Sequence, residues 1–178
     1  MSTTTIWAHG NALTVEDPRD TAYLWHRGWG SQLTFAGPRD NESSSYATRY
    51  CHLSLPTPRI LNGEAMHLTK LFVLFEIQGQ MRISRIDVWD ANVPVAQFNE
   101  NLNPGGQLKG VGSHLTLDST NQLSLPQPYA VQYGIGVTFI CDLDFFPEQQ
   151  PLVLTLTAVG AEFISPLHIP PIPIRPGR

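Results

Sequence analysis

Three tryptophans placed near turns are the residues of this chain with the clearest chemical use. An indole ring stacks on flat organic ligands and on sugar rings, and neighbouring polar groups then add hydrogen bonds. Trp25, Trp29 and Trp89 stand beside polar residues at the ends of predicted strands. Large aromatic side chains also fill the cores and edges of β-sandwiches, so burial is the alternative interpretation. The predicted ligand-binding residues are these tryptophans with selected histidines and asparagines: Trp25, Trp29, Trp89, His9, Asn101, Asn103 and His114.

The six histidines could bind a metal ion, but their spacing does not support such a site. A cupin site needs a His-x-His pair, a carboxylate and a later histidine, and the chain has no His-x-His pair. Asp142, Asp144 and Glu148 form an acidic turn, yet calcium takes about six to eight oxygen ligands. A solvated cap is the simpler interpretation of that turn. We therefore predict no metal and no cofactor.

No arrangement of catalytic residues stands out in the sequence. The chain has no Gly-x-Ser-x-Gly nucleophile elbow. Neither cysteine stands at a predicted helix start that would lower its pKa. Glu76 and Glu162 follow apolar runs and could be buried carboxylates with a raised pKa, usable for proton transfer. For Glu76 the alternative is a salt bridge to Arg82 or Arg85 across a hairpin. Catalytic residues therefore stay unassigned.

The composition limits the classes of partner and the location. The 178 residues carry a formal net charge of −4 and show no basic stripe, so we expect no nucleic-acid partner. No apolar run is long enough to span a bilayer. The opening residues lack the features of a secretory signal, so we expect a cytoplasmic protein. Cys51 and Cys141 are then two buried free thiols, unless their strands are neighbours in an oxidising environment.

Residues 66–90 organise the predicted fold as two strands joined at Gly79. In the first strand both faces of residues 71–75 are apolar, so we expect this strand to be covered on both sides. In the second strand the alternation of apolar and polar residues slips by one position. A β-bulge at residues 84–85 would absorb the extra residue.

Residues 129–143 show the clearest strand pattern, because every odd position is apolar. Gly134 and Gly136 leave the other face bare, where another backbone or a ligand could approach closely. Many such short alternating segments predict an all-β fold of two packed antiparallel sheets, jelly-roll-like and without substantial helix. A closed barrel is the second choice. We predict one domain over residues 1–163 and a proline-rich extended tail over residues 164–178.

Several stretches of the chain resemble an uncharacterised family of small β-rich proteins with a W-x-H-G opening and a G-A-[DE]-F ending. The resemblance implies the β-sandwich fold, and it carries over no catalytic residues. The matching segments, which together span nearly the whole chain before the tail, are residues 7–10 with Glu16, then 71–75, 86–90, 102–113, 133–137 and 160–163.

Three functions remain open from the sequence. The first is a self-associating β-sandwich without catalysis that binds a small molecule or glycan through aromatic residues in its loops. The second is a cofactor-free cyclase or isomerase that shapes a hydrophobic substrate in a dry pocket. The third is a carbohydrate-binding module. The doubly apolar strand and the apolar tail motivate the expected homo-oligomer.

Overall fold

The computed structural model describes residues 2–39, 45–99, 108, 110–145 and 151–165. These residues form two antiparallel β-sheets packed face to face, and they contain no α-helix. The predicted all-β, two-sheet sandwich without substantial helix is therefore confirmed. From residue 166 onward the predicted proline-rich tail lies outside the described residues.

The larger sheet has seven strands and the smaller has five. In the seven-stranded sheet the order is β11-β8-β14-β4-β3, with β1 also pairing with β14 and β12 with β8. The order in the five-stranded sheet is β10-β9-β13-β5-β2, and β6 and β7 pair separately. Most connections pass from one sheet to the other, as in a jelly roll. The strands are β1 (Thr3–His9), β2 (Thr14–Val15), β3 (Thr21–Arg27), β4 (Gly30–Phe35), β5 (Tyr46–Ser54), β6 (Ile60–Leu61), β7 (Glu64–Ala65), β8 (His67–Gln78), β9 (Met81–Asp90), β10 (Val93–Asn99), β11 (Ser113–His114), β12 (Gln122–Ala130), β13 (Ile135–Asp144) and β14 (Val153–Ile164).

Gly79 joins β8 to β9 as predicted, but the two strands do not form a hairpin. β8 belongs to the seven-stranded sheet and β9 to the five-stranded sheet, so the chain crosses the end of the sandwich at this point. Gly79 has a φ of 85°, and a Cβ atom there would lie 2.8 Å from the carbonyl oxygen of Pro151. Both facts favour glycine at this crossing.

The predicted β-bulge in β9 is confirmed. β13 pairs Ile140 with Arg85 and the next residue, Cys141, with Ile83, which leaves Ser84 as the extra residue. The Ser84 hydroxyl donates to the carbonyl oxygen of Ile140 at 3.3 Å. The bulge explains why the apolar phase of β9 changes along the strand while both halves still face the core.

The prediction of one continuous strand over residues 129–143 is wrong at Tyr133. β12 ends at Ala130 and β13 begins at Ile135, and Tyr133 between them is 71% exposed. Tyr133 fits the alternating apolar pattern only by coincidence. The buried carboxylate of Asp90 accepts a hydrogen bond from the Tyr133 backbone, and the chain turns there instead of continuing as a strand. Within β13 the pattern holds, since alternate residues from 135 to 143 are buried.

Trp7 covers the outer face of the doubly apolar strand within the same chain. Trp7 on β1 pairs with Gly160 on β14, which in turn pairs with Phe72 on β8. The indole therefore lies over the glycine and stacks on Phe72, with 5.6 Å between ring centroids and an interplanar angle of 22°. Phe72 is buried under this ring. Residues 71–75 thus need no second copy of the chain to cover Phe72.

We expect Gly160→Ala to destabilise the protein by about 1–3 kcal/mol, the usual cost of overpacking. A Cβ atom at this position would lie 2.7 Å from the indole ring of Trp7, which must then leave Phe72. Urea unfolding measures the loss, and near-ultraviolet circular dichroism reports the moved indole. Gly134→Ala is the matched control, because no atom of the described ranges lies within 4 Å of a Cβ atom there. Equal losses in the two variants would contradict this account of Gly160.

The two cysteines are free thiols on neighbouring strands of the five-stranded sheet. Both side chains are completely buried. A hydrogen bond with Cys51, together with burial, raises the pKa of the Cys141 thiol well above its usual value. A thiol held in its neutral form is a poor nucleophile, so Cys141 has a packing role.

Candidate functional site

A groove about 390 Å³ in volume lies on the outer face of the seven-stranded sheet. Its volume falls within the range of small-molecule sites, about 300–1,000 Å³. One indole and one leucine supply its large apolar side chains, and threonine, glutamine and glutamate side chains supply the polar groups. We call it the Trp29 groove, after the residues that line it: Trp29, Gln32, Glu76, Gln78, Leu115, Thr155 and Thr157.

Strand register brings the polar side chains of the groove together. Gln32 on β4 pairs with Thr155 on β14, and Thr155 pairs with Glu76 on β8. Paired residues of neighbouring antiparallel strands project from the same face, so these side chains form a row. Gln78 lies two residues further along β8, and its amide donates to a carboxylate oxygen of Glu76 at 3.4 Å. Sequence reasoning did not assign these residues to a common site, because their register depends on strand order.

Trp29 is placed at the groove by the tight turn between β3 and β4. Gly30, which follows it, has a φ of 150°, and a Cβ atom there would lie 2.3 Å from the carbonyl oxygen of Leu156. Only glycine lets this turn come so close to β14. Trp29 remains 51% exposed, so part of the indole is available to a ligand. The Gly-Trp-Gly sequence was the local signal for this arrangement.

Trp25 lies on the same outer face, one strand beyond the groove. It pairs with Gln32 and is 49% exposed. The guanidinium carbon of Arg27 lies 4.6 Å from the centroid of its ring, a cation–π contact that holds the indole in place. Trp25 and Trp29 are therefore neighbours of the same polar row, which the sequence could not show.

His9 lies on the same sheet, at the end of β1. It pairs with Ala158 of β14, and its Nδ1 accepts a hydrogen bond from the backbone N–H of Asn11 at 3.3 Å. The side-chain amide of Asn11 donates to the carbonyl oxygen of Arg27 at 2.8 Å, so this turn is tied to the end of β3. His9 is exposed but does not line the Trp29 groove.

Two other predicted residues lie away from the groove. Trp89 is half-buried on β9, in the opposite sheet, where it pairs with Gly136. No atom of the described residues lies within 4 Å of a Cβ atom built at Gly136, so within that part of the chain no backbone packs closely over this glycine. His114 is buried, and its ring nitrogens contact the carbonyl oxygen of Val111 at 3.0 Å and the hydroxyl of Thr120 at 3.1 Å. His114 thus supports a turn of the chain.

Asn101 and Asn103, the two predicted amides, lie outside the described residues. They are therefore not assigned to either sheet.

The alternative salt bridge predicted for Glu76 is wrong. The guanidinium group of Arg82 lies 3.5 Å from the carboxylate of Asp142, and that of Arg85 lies 2.9 Å from the carboxylate of Asp87. Both pairs are on the outer face of the five-stranded sheet. Glu76 is on the other sheet, because β8 and β9 do not pair. Its half-buried carboxylate is the one charged group among the residues that line the Trp29 groove.

Glu162, the other predicted carboxylate, is paired. It lies 3.2 Å from the ammonium group of Lys70 and accepts a hydrogen bond from the hydroxyl of Thr69 at 2.9 Å. The Glu162 carboxylate is thus engaged by its neighbours, so the structure offers no reason to expect proton transfer there.

Across the described ranges, no group of three or more histidine, cysteine, aspartate or glutamate side chains could hold a metal ion. Glu148 of the predicted acidic turn is outside those ranges. The described part of the chain also has no helix with the length and apolar character needed to cross a membrane.

Comparison with known proteins finds no matching family model, no similar curated protein and no similar solved structure. The resemblance to a family of small β-rich proteins therefore stays a prediction.

Proposed function

We propose that this chain is a ligand-binding β-sandwich without catalysis, and that a small molecule or glycan binds in the Trp29 groove. The supporting observation is a half-exposed indole beside a polar floor built from three neighbouring strands. The indole offers an apolar face for stacking. Gln32, Gln78 and Glu76 offer amide donors, amide acceptors and a carboxylate within the same groove. Such a combination fits a ring with polar substituents.

We expect Trp29→Ala to weaken binding of a groove ligand by about fivefold or more, since losing an aromatic stack costs about 1 kcal/mol or more. Saturation-transfer NMR against a panel of heteroaromatic compounds and neutral oligosaccharides identifies binders, and titration calorimetry measures their affinity. Tyr133→Ala is the matched control, because Tyr133 is the more exposed aromatic and does not line the groove. Compounds that bind the wild type and Trp29→Ala with the same affinity would contradict the proposal.

The cyclase or isomerase alternative lacks a supporting observation among the described residues. It needs a carboxylate or histidine free for proton transfer in a dry pocket. The completely buried Asp90 accepts hydrogen bonds from three backbone N–H groups. Asp20 is buried against Arg49. These two carboxylates serve the fold, and Glu76 lies in a groove on the sheet surface rather than in a dry pocket. Binding without catalysis is therefore the better proposal. Self-association and a cytoplasmic location stay predictions.

A further inference from the structure

One row of side chains crosses five strands of the seven-stranded sheet. Trp25 pairs with Gln32, Gln32 with Thr155, Thr155 with Glu76, and Glu76 with Ser113. Adjacent strands lie about 4.8 Å apart, so the four steps of this row span about 19 Å. A ligand that used the whole row would be an extended chain lying across the strands.

The chemistry of the row selects the kind of chain. Hydroxyl, amide and carboxylate groups alternate along it, and indoles lie at one end, which matches the hydroxyl groups and apolar faces of sugar rings. Glu76 is the one charged member of the row. A carboxylate repels an anionic polymer and accepts hydrogen bonds from sugar hydroxyls. Neutral sugars therefore fit better than uronic acids, sulfated sugars or nucleic acids.

Resting on the function proposed above, we infer that the ligand is a neutral oligosaccharide that lies across the strands. One sugar ring stacks on Trp29 in the groove, and the chain continues over Gln32 to a second ring on Trp25. The cation–π contact with Arg27 holds Trp25 ready for this second ring. Trp29 thus stacks on a sugar ring of a ligand of any length. Trp25 contributes to binding only when the oligosaccharide is long enough to reach it.

The test is a titration with neutral cello-, xylo- and manno-oligosaccharides, from the monosaccharide to the hexasaccharide, by isothermal calorimetry. We expect the affinity for one of these series to rise with chain length and then level off. Trp25→Ala should remove about fivefold or more of the gain from length, so it should weaken binding of the longer ligands much more than binding of the shortest one. Trp29→Ala should weaken binding at every length. Tyr133→Ala is the control and should match the wild type.

The outcomes separate this inference from the proposed function. If no neutral oligosaccharide binds, but a heteroaromatic compound binds and needs Trp29, then the inference fails and the groove proposal stands. If sugars bind with an affinity that does not depend on length or on Trp25, the extended ligand is overturned. If no ligand of either kind depends on Trp29, both proposals fail. Stronger binding to polygalacturonate oligomers than to neutral ones would show that the ligand is anionic and would overturn the inference of a neutral sugar.

Discussion

Asp20→Asn should lower the free energy of unfolding by about 3–5 kcal/mol, the usual result of removing one partner of a buried ion pair. Arg49 on β5 points into the sandwich and is only 2% exposed, and its Nε lies 2.8 Å from Oδ1 of Asp20. Asp20 lies in the short turn between β2 and β3 and is itself buried. The substitution takes a carboxylate away from a guanidinium that water cannot reach.

The double variant Asp20→Asn with Arg49→Met should be more stable than Asp20→Asn alone, because it also removes the buried positive charge. Urea unfolding of the wild type, both single variants and the double variant measures the coupling between the two sites. Glu16→Gln is the matched control, since the exposed Glu16 carboxylate lies 3.2 Å from the His52 ring at the surface and does not contact Asp20 or Arg49. We expect little change there, because exposed pairs contribute little. A double variant less stable than Asp20→Asn would contradict the explanation.

Asp90→Asn should lower the free energy of unfolding by about 3 kcal/mol, because it weakens several charge-assisted hydrogen bonds together. The Asp90 carboxylate is completely buried and accepts from the backbone N–H groups of residues 132, 133 and 134 at 2.7, 2.9 and 2.7 Å. The hydroxyl of Tyr129 also donates to it, at 3.3 Å. An asparagine has one oxygen for these donors and turns an amide towards the rest.

The stability difference between wild type and Asp90→Asn should depend on pH. Burial raises the pKa of Asp90, but the backbone hydrogen bonds and the Tyr129 hydroxyl outweigh burial and lower the pKa overall. A lowered folded-state pKa stabilises the protein above the pKa of an unfolded aspartate, about 3.9. This contribution is lost as the pH falls through the folded-state value. Urea unfolding at a series of pH values should therefore show a full difference near neutrality that shrinks below about pH 4.

A constant difference down to the acid limit would show that ionisation of Asp90 contributes nothing to the folded state. Tyr133→Ala tests the same loop without touching the carboxylate, since Tyr133 contributes its backbone N–H rather than its exposed ring. We expect that variant to keep the stability of the wild type and its dependence on pH.

Local patterns in the sequence were enough to predict the class of fold. Apolar side chains on alternate residues predict extended strands, since only an extended chain has a period of two. The slip in the pattern at Ser84 predicted the bulge, because one extra residue must reverse the phase. The period of two also places Arg49 on the same strand face as the buried Cys51. Its ion-pair partner, Asp20, could not be identified from the sequence.

Which strands are neighbours was decided by the tertiary structure alone. Period-two alternation assigns a face to each side chain but says nothing about the strand beside it, because register arises from long-range pairing. The turn at Gly79 therefore looked like a hairpin, although β8 and β9 lie in different sheets. The run through Tyr133 looked like one strand, although a distant carboxylate interrupts it.

For the candidate site, too, some features were predictable from the sequence and others depended on the tertiary structure. The chain by itself determined that Trp25 precedes a glycine-rich turn and that Trp29 lies within it, because turn residues are recognised locally. Only the folded sheet brought Gln32, Thr155 and Glu76 beside them, since these residues are far apart in sequence and meet through strand pairing. It also separated Trp89 onto the opposite sheet and buried His114. Alternation along a strand is a property of neighbouring residues, whereas a binding face is a property of paired strands.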